Sequence, residues 1–279
     1  MDANTLLLLT PALIALAFKG GIFAYARYSG THNSRTRLYL YFLFALSIQN
    51  LAEISGLYKL NVVGLMPYLE GYVFYAASIT VIAFLTHLSF AVAFDQRQRW
   101  ADIFVRSVYG YGAVLFLLLI ATKHIVSDFV PFNYALGNTI TRVPGPLYFL
   151  FEIYGVGAFV SILGALAYGS IRSASPSSRA RSSVLLLAIL PMAAIVIVVL
   201  FLLHIGIQWA NATVIFPLAI TYFLVVTAYA VHHHRLFDIQ FYIPWSKVRK
   251  RKTAFYDRIR AMISEIADLV SVKQAMERL

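Results

Sequence analysis

Three carboxylates, a lysine and two histidines interrupt stretches of this chain that are otherwise apolar. Glu53, Glu70 and Glu152 each lie in a long hydrophobic run, as do Lys19 and His87, and His204 closes another. An ionisable side chain in hydrocarbon is costly, so it faces a bundle interior or a water-filled cavity. Gln49, Asn50 and Glu53 are spaced i, i+1 and i+4. On a helix Gln49 and Glu53 then share a face, with Asn50 beside them. Counted from the ends of the runs at about 1.5 Å per residue, Glu53, Glu70, Glu152 and His204 fall in one half of a bilayer. Lys19 and His87 lie nearer the other half. Three carboxylates meeting a histidine suit a cationic or hydrogen-bonding ligand, or a proton sensor. Glu53, Glu70, Glu152, Asn50, Gln49 and His204 therefore form the candidate ligand-binding set. The competing reading leaves each carboxylate at the interface, snorkelling or bonded to a helix terminus, and His204 wet at a helix end. Lys19 is too deep to snorkel easily past Ala26; a pairing with the Asn50 region, or with a carboxylate through water, is the alternative.

Other chemistries find no support in the residues. There is no nucleophile elbow, no pair of catalytic acids and no phosphate-binding glycine loop, so no catalytic residue is assigned. His232, His233 and His234 are consecutive. On a helix they point about 100° apart and do not converge on one ion, so no metal site is expected. No lysine occurs between Lys123 and Lys247, which excludes a retinal Schiff base on the last apolar run. No cofactor is expected.

These residues need long helices to hold them. The 279-residue chain is 60% hydrophobic and 13% charged, with a mean hydropathy of +0.74. Soluble domains carry about twice that charged fraction. Seven apolar runs of spanning length follow one another: 5–26, 38–58, 67–94, 103–121, 147–171, 183–205 and 211–231. The longest connection, 122–146, is rich in Pro, Gly, Asn and aromatics, and the link 172–182 is Ser-rich and basic. Within the fifth run Gly157, Ser161, Ala165 and Gly169 form a stripe of small residues, which predicts close helix packing.

Charge sets the orientation. One set of links holds Arg27, Arg35, Arg37, Arg97, Arg99, Arg172, Arg179 and Arg181, and the basic tail lies on the same side; the other set holds only Lys59, Lys123 and Arg142. The positive-inside rule puts the first set and the tail in the cytoplasm and the amino terminus outside. The net charge of +11 sits in short segments beside apolar runs, which fits anionic lipid head groups and not nucleic acid. The chain has no cysteine, so a disulfide framework is excluded.

Beyond residue 235 the character changes. Arg235 and Asp238 flank the exit, Arg249-Lys-Arg-Lys252 follows, and Phe255, Ile259, Met262, Ile266, Leu269, Lys273 and Met276 are separated by alternating steps of four and three. That is a coiled-coil seam, and Ile at a with Leu or Met at d predicts a parallel homodimer. The acidic residues Asp257, Glu265, Asp268 and Glu277 weigh against the same helix lying on anionic lipid. Arg235, Asp238, Ile259, Met262, Ile266 and Leu269 are assigned to signal transmission.

Two stretches carry a resemblance. Val143-Pro-Gly-Pro-Leu-Tyr-Phe-Leu-Phe151, followed by Ile153-Tyr154, resembles the loop and fifth helix start of the N-terminal seven-helix region of bacterial sensor histidine kinases. Ala228-Tyr-Ala-Val-His-His-His-Arg-Leu-Phe-Asp-Ile239 resembles that family's exit from helix seven. The resemblance implies a multi-pass receptor in the bacterial cytoplasmic membrane with an output domain beyond Leu279, since the chain holds no kinase motif.

The expectation is therefore an all-α membrane protein: a seven-transmembrane bundle (1–235), a basic juxtamembrane linker (236–252) and a cytoplasmic amphipathic or coiled-coil helix (253–279). It is read as a signalling receptor for a small-molecule, peptide or lipid-like ligand. The alternative is a transporter or intramembrane enzyme using the carboxylates as proton or cation sites. Transporters carry repeat symmetry with interrupted helices in matching halves; here Pro191 and Pro217 lie in the last two runs, matched only by Pro11 at an end.

Overall fold

A computed structural model describes residues 3–29, 34–58, 66–94, 98–134, 137–173, 175–205 and 212–234. Among these are seven helices and one two-stranded sheet. The helices are α1 (Ala3–Ser29), α2 (Ser34–Tyr58), α3 (Met66–Ala93), α4 (Arg99–Ala121), α5 (Tyr148–Arg172), α6 (Pro176–His204) and α7 (Ala212–His234). Each apolar run of the sequence lies on one of them. Four contain stretches long and apolar enough to cross a membrane: Gly71–Ala93, Arg99–Ala121, Tyr148–Arg172 and Pro176–Leu202.

Helix packing is a ring with one helix outside it. α1 packs on α2, α2 on α3, α3 on α5, α5 on α6, α6 on α7, and α7 back on α1. α3 also touches α6 across the ring, and α4 lies outside against α3 and α5. The outer face is apolar: Leu117, Ile120 and Ile171 are all more than 60% exposed. The interior keeps the polar groups, with Lys19, Asn50, Thr86, Ser89, Ser182 and Thr227 all buried. That distribution suits a lipid solvent, in which backbone is satisfied within helices and polar side chains turn inward. Side-chain contacts join α2 to α7: the Phe42 ring meets Phe223 edge-on at 5.7 Å, and the Tyr39 hydroxyl lies 3.5 Å from the Thr227 hydroxyl.

Three features depart from the sequence expectation. First, the longest connection between the helices is not plain loop. The connection between α4 and α5 holds β1 (Val126–Tyr134) and β2 (Gly137–Pro144), paired antiparallel from Tyr134↔Gly137 to Val126↔Pro144 with one irregularity between Val126 and Asp128. The hairpin contacts α2 through β2 and α3 through β1.

Second, the basic link 172–182 is mostly helix. Ser175 caps α6: its Oγ accepts from the Ser178 N–H at 3.1 Å, and Pro176 takes the first helical position. A serine cap followed by proline is a strong helix start, because proline lacks the N–H that would go unsatisfied there.

Third, the small stripe of α5 does not act as one surface. Gly157 has nothing within 4 Å of a built Cβ, whereas at Gly169 a Cβ would come within 2.9 Å of the Ala93 backbone. Steps of four residues drift by about 40° each on an α-helix, so the two ends of a twelve-residue stripe face different neighbours. Only the Ala165–Gly169 end is buried.

Candidate functional site

Among the described residues, Lys19 is the charged residue that is buried. It is fully buried, and its Nζ donates to Asn50 Oδ1 at 2.6 Å and to the Leu46 carbonyl at 3.1 Å. The lysine does not reach the interface; α2 supplies its acceptors. An ammonium only donates, so Asn50 must turn its oxygen toward Lys19. Asn50 Nδ2 then faces away as a donor. It has no hydrogen-bond partner among the described residues, although Asn50 is only 2% exposed. Glu53 follows three residues on along α2.

Asn50 opens on a cavity of about 130 Å³. Five helices line it, each through one face. α2 contributes Leu46, Gln49, Asn50 and Glu53, and α3 contributes Phe74, Tyr75, Ser78, Val81 and Ile82. The remaining walls come from Tyr148, Phe151, Gly155 and Phe159 of α5, Met192, Val196, Val199 and Leu200 of α6, and Phe216 and Ile220 of α7. Within each set, spacings of three or four residues recur, as on a single helical face. The polar edge is tied down locally. Gln49 Nε2 donates to Ser78 Oγ at 3.0 Å, and Ser78 in turn donates to the Phe74 carbonyl at 2.7 Å. The aromatic wall packs on itself, with the Tyr75 ring edge-on to Phe151 at 5.2 Å and to Tyr148 at 6.4 Å.

The start of α5 is fixed by a tight backbone crossing. Gly145 N–H donates to the Ile125 carbonyl at 2.9 Å and Leu147 N–H to the His124 carbonyl at 2.8 Å. A Cβ on Gly145 would collide with the His124 backbone. The glycine of the Val143-Pro-Gly-Pro stretch therefore allows the approach that delivers Tyr148 and Phe151 to the cavity. Further along α5, Tyr154 donates to the Ile79 carbonyl at 3.0 Å and locks α5 to α3.

The predicted site residues separate into groups. Gln49, Asn50 and Glu53 line the cavity. Glu152 and His204 do not; they meet each other, with His204 Nδ1 3.0 Å from Glu152 Oε2, linking α5 to the end of α6. The side chain of Glu70 lies outside the described residues, although its backbone belongs to α3. His87 is elsewhere, its Nδ1 3.2 Å from Tyr109 Oη between α3 and α4. Arg235, Asp238, Ile259, Met262, Ile266 and Leu269 lie outside the described residues.

The sequence reading passed over the aromatic wall. Its signal was present as Tyr148, Phe151, Gly155 and Phe159 at helical spacing, but such a stripe is equally the signature of plain core.

The model of the N-terminal 7TM region of histidine kinase matches residues 8–240 of the chain. No curated protein matches it.

Proposed function

Because the chain belongs to the family of N-terminal seven-transmembrane regions of histidine kinases, we propose that it is the ligand-sensing input region of a bacterial two-component receptor. It is a multi-pass membrane protein and an input region rather than a catalytic one. In this reading all seven helices cross the cytoplasmic membrane, the amino terminus is outside, and the cavity lies in the outer half. Occupation of the cavity shifts α7, and the shift passes through Arg235 and Asp238 to a paired cytoplasmic helix at 253–279.

One observation carries the reading. The cavity is walled by α7 itself, through Phe216 and Ile220, together with Gln49, Asn50 and Glu53 of α2. A ligand there touches both the helix that holds the buried charge network and the helix that leads to the cytoplasmic tail. Tight packing converts such contact into discrete rearrangement.

The chain has no cysteine, so introduced cysteines label cleanly. Spin labels at Ile171→Cys and Tyr229→Cys, both on the exposed outer surface, report the position of α7 against α5. Filling the cavity with Val196→Trp should shift the distance distribution between them. An unchanged distribution would remove the proposed link between cavity and helix seven. For the tail, a cysteine replacing Leu269 should crosslink efficiently in membranes and one at Val270 should not; equal yields would rule out the heptad pairing.

A further inference from the structure

We infer that the cavity takes an uncharged, apolar molecule about the size of a single ring, held by shape and dispersion and not by a polar group. This assignment rests on the sensing reading above and adds the chemistry of the ligand.

Size comes from volume. At about 130 Å³ the space is close to that of an engineered protein cavity of roughly 150 Å³, lined by apolar side chains, that admits benzene. A peptide or a whole lipid does not fit within it.

Polarity comes from where the polar side chains lie. Gln49, Asn50 and Glu53 of α2 and Ser78 of α3 are the polar part of the lining. Apart from the tyrosine hydroxyls, no other lining side chain carries a nitrogen or an oxygen. α6 and α7 contribute only Met192, Val196, Val199, Leu200, Phe216 and Ile220.

Much of that polar part is engaged within the protein. Gln49 Nε2 donates to Ser78 Oγ, and Ser78 donates onward to the Phe74 carbonyl. Asn50 Oδ1 accepts from Lys19, and the Asn50 amide nitrogen has essentially no accessible surface. A polar ligand would break these bonds or bury its own groups against apolar walls, and an unmade hydrogen bond there costs the desolvation of the group. A charged ligand needs a counter-charge and further hydrogen bonds to offset its desolvation. Glu53 is the one carboxylate in the lining, and the α6 and α7 walls offer neither.

Shape comes from the rings. Phe74, Tyr75, Tyr148, Phe151, Phe159 and Phe216 all line the space. Tyr75 already meets Tyr148 and Phe151 edge-on, at interplanar angles of 78° and 68°. Aromatic side chains favour offset or edge-on contact with another ring, so a flat ring matches this wall better than a chain does. Met192 adds a flexible thioether of the kind that adapts to such a surface.

The test uses 3-fluorotoluene as probe, with the full chain in lipid nanodiscs and protein-free nanodiscs as the blank. Binding is read by fluorine NMR and referred to the free aqueous concentration. The comparison probes are 3-fluorobenzyl alcohol, 3-fluorobenzoate, (3-fluorobenzyl)trimethylammonium, 1-fluorohexane and 1-fluoronaphthalene. The toluene should bind saturably, with the alcohol about tenfold weaker, as expected for one hydrogen bond lost to water and not remade. Both ions and the hexane should also bind more weakly than the toluene. Val196→Trp, which fills the space, should abolish saturable binding. Met192→Ala, which enlarges it, should tighten binding of the naphthalene by about tenfold, the effect of burying roughly two more methylene groups.

An alcohol that binds as tightly as the toluene would overturn the apolar assignment. Tighter binding of either ion would overturn neutrality. Equal or tighter binding of the hexane would overturn the ring shape and point to a lipid tail as the occupant. Toluene binding unaffected by Val196→Trp, or naphthalene binding unaffected by Met192→Ala, would place the site elsewhere. The Ile171–Tyr229 label pair separates the two levels of inference. Toluene binding that leaves that distance unchanged supports the ligand class and removes the sensing reading. No saturable binding of any probe, with the distance still moved by Val196→Trp, overturns the ligand class and leaves the sensing reading in place.

Discussion

Two of the polar pairs that bridge helices in this bundle have opposite surroundings. Lys19 and Asn50 join α1 to α2 with exposures of 0% and 2%. Glu152 and His204 join α5 to α6 with side-chain exposures of 13% and 67%. The distances are similar, 2.6 Å and 3.0 Å. What differs is the alternative open to each partner when the other is lost. His204 can turn to water or head groups. Lys19 has only what α2 offers it, because its Nζ is already committed to Leu46 and Asn50 in a closed interior. Geometry alone therefore does not rank the two pairs; access to solvent does.

The largest effect that tests this difference is expected for Asn50→Leu. It removes the shorter acceptor of a buried ammonium, and should destabilise the bundle by about 1.5–3 kcal/mol, the range for hydrogen bonds to charged groups. Stability against denaturant in mixed micelles measures it. The double variant Lys19→Met/Asn50→Leu should regain most of the loss, because an apolar pair leaves no stranded charge. A double variant no more stable than Asn50→Leu alone would show that the cost is one of shape and not of charge.

A smaller effect is expected at the Glu152–His204 pair. Glu152→Gln keeps a hydrogen-bonding group beside His204, whose side chain is 67% exposed, and should cost less than about 1 kcal/mol. The same denaturation measurement applies. A loss equal to that of Asn50→Leu would erase the contrast and make the α5–α6 pair a structural element of the same weight.

Much of the scaffold was legible from composition. Each apolar run marks a helix because hydrocarbon leaves the backbone few other ways to satisfy its hydrogen bonds. Lys19 and His87 stood out as costly residues at depth, and the Asn50 region as a partner open to Lys19. The hairpin of β1 and β2 was harder to see. β1 contains Pro131, which reads against a strand, and the pairing depends on register between residues that composition does not relate. The start of α6 was hidden by its basic, Ser-rich composition, although Ser175-Pro176 carried the capping signal.

The candidate site divides along the same line. Periodicity put Gln49 and Glu53 on one face with Asn50 beside them, because those residues are neighbours on a single helix. It also led the carboxylates of separate helices to be grouped in one cluster, since depth in the membrane was the only coordinate available. Depth says nothing of rotation about the helix axis or of which helices are adjacent. Those were decided by packing: α2 and α3 turn their polar faces to an aromatic wall from α5, while Glu152 points to His204 at the end of α6.

The sequence by itself determined the apolar helices, their order and the presence of buried charge, because these follow from the cost of polar groups in hydrocarbon. Tertiary structure alone decided which polar groups meet and which helix faces line the cavity. Those depend on the relative rotation of helices far apart in the chain.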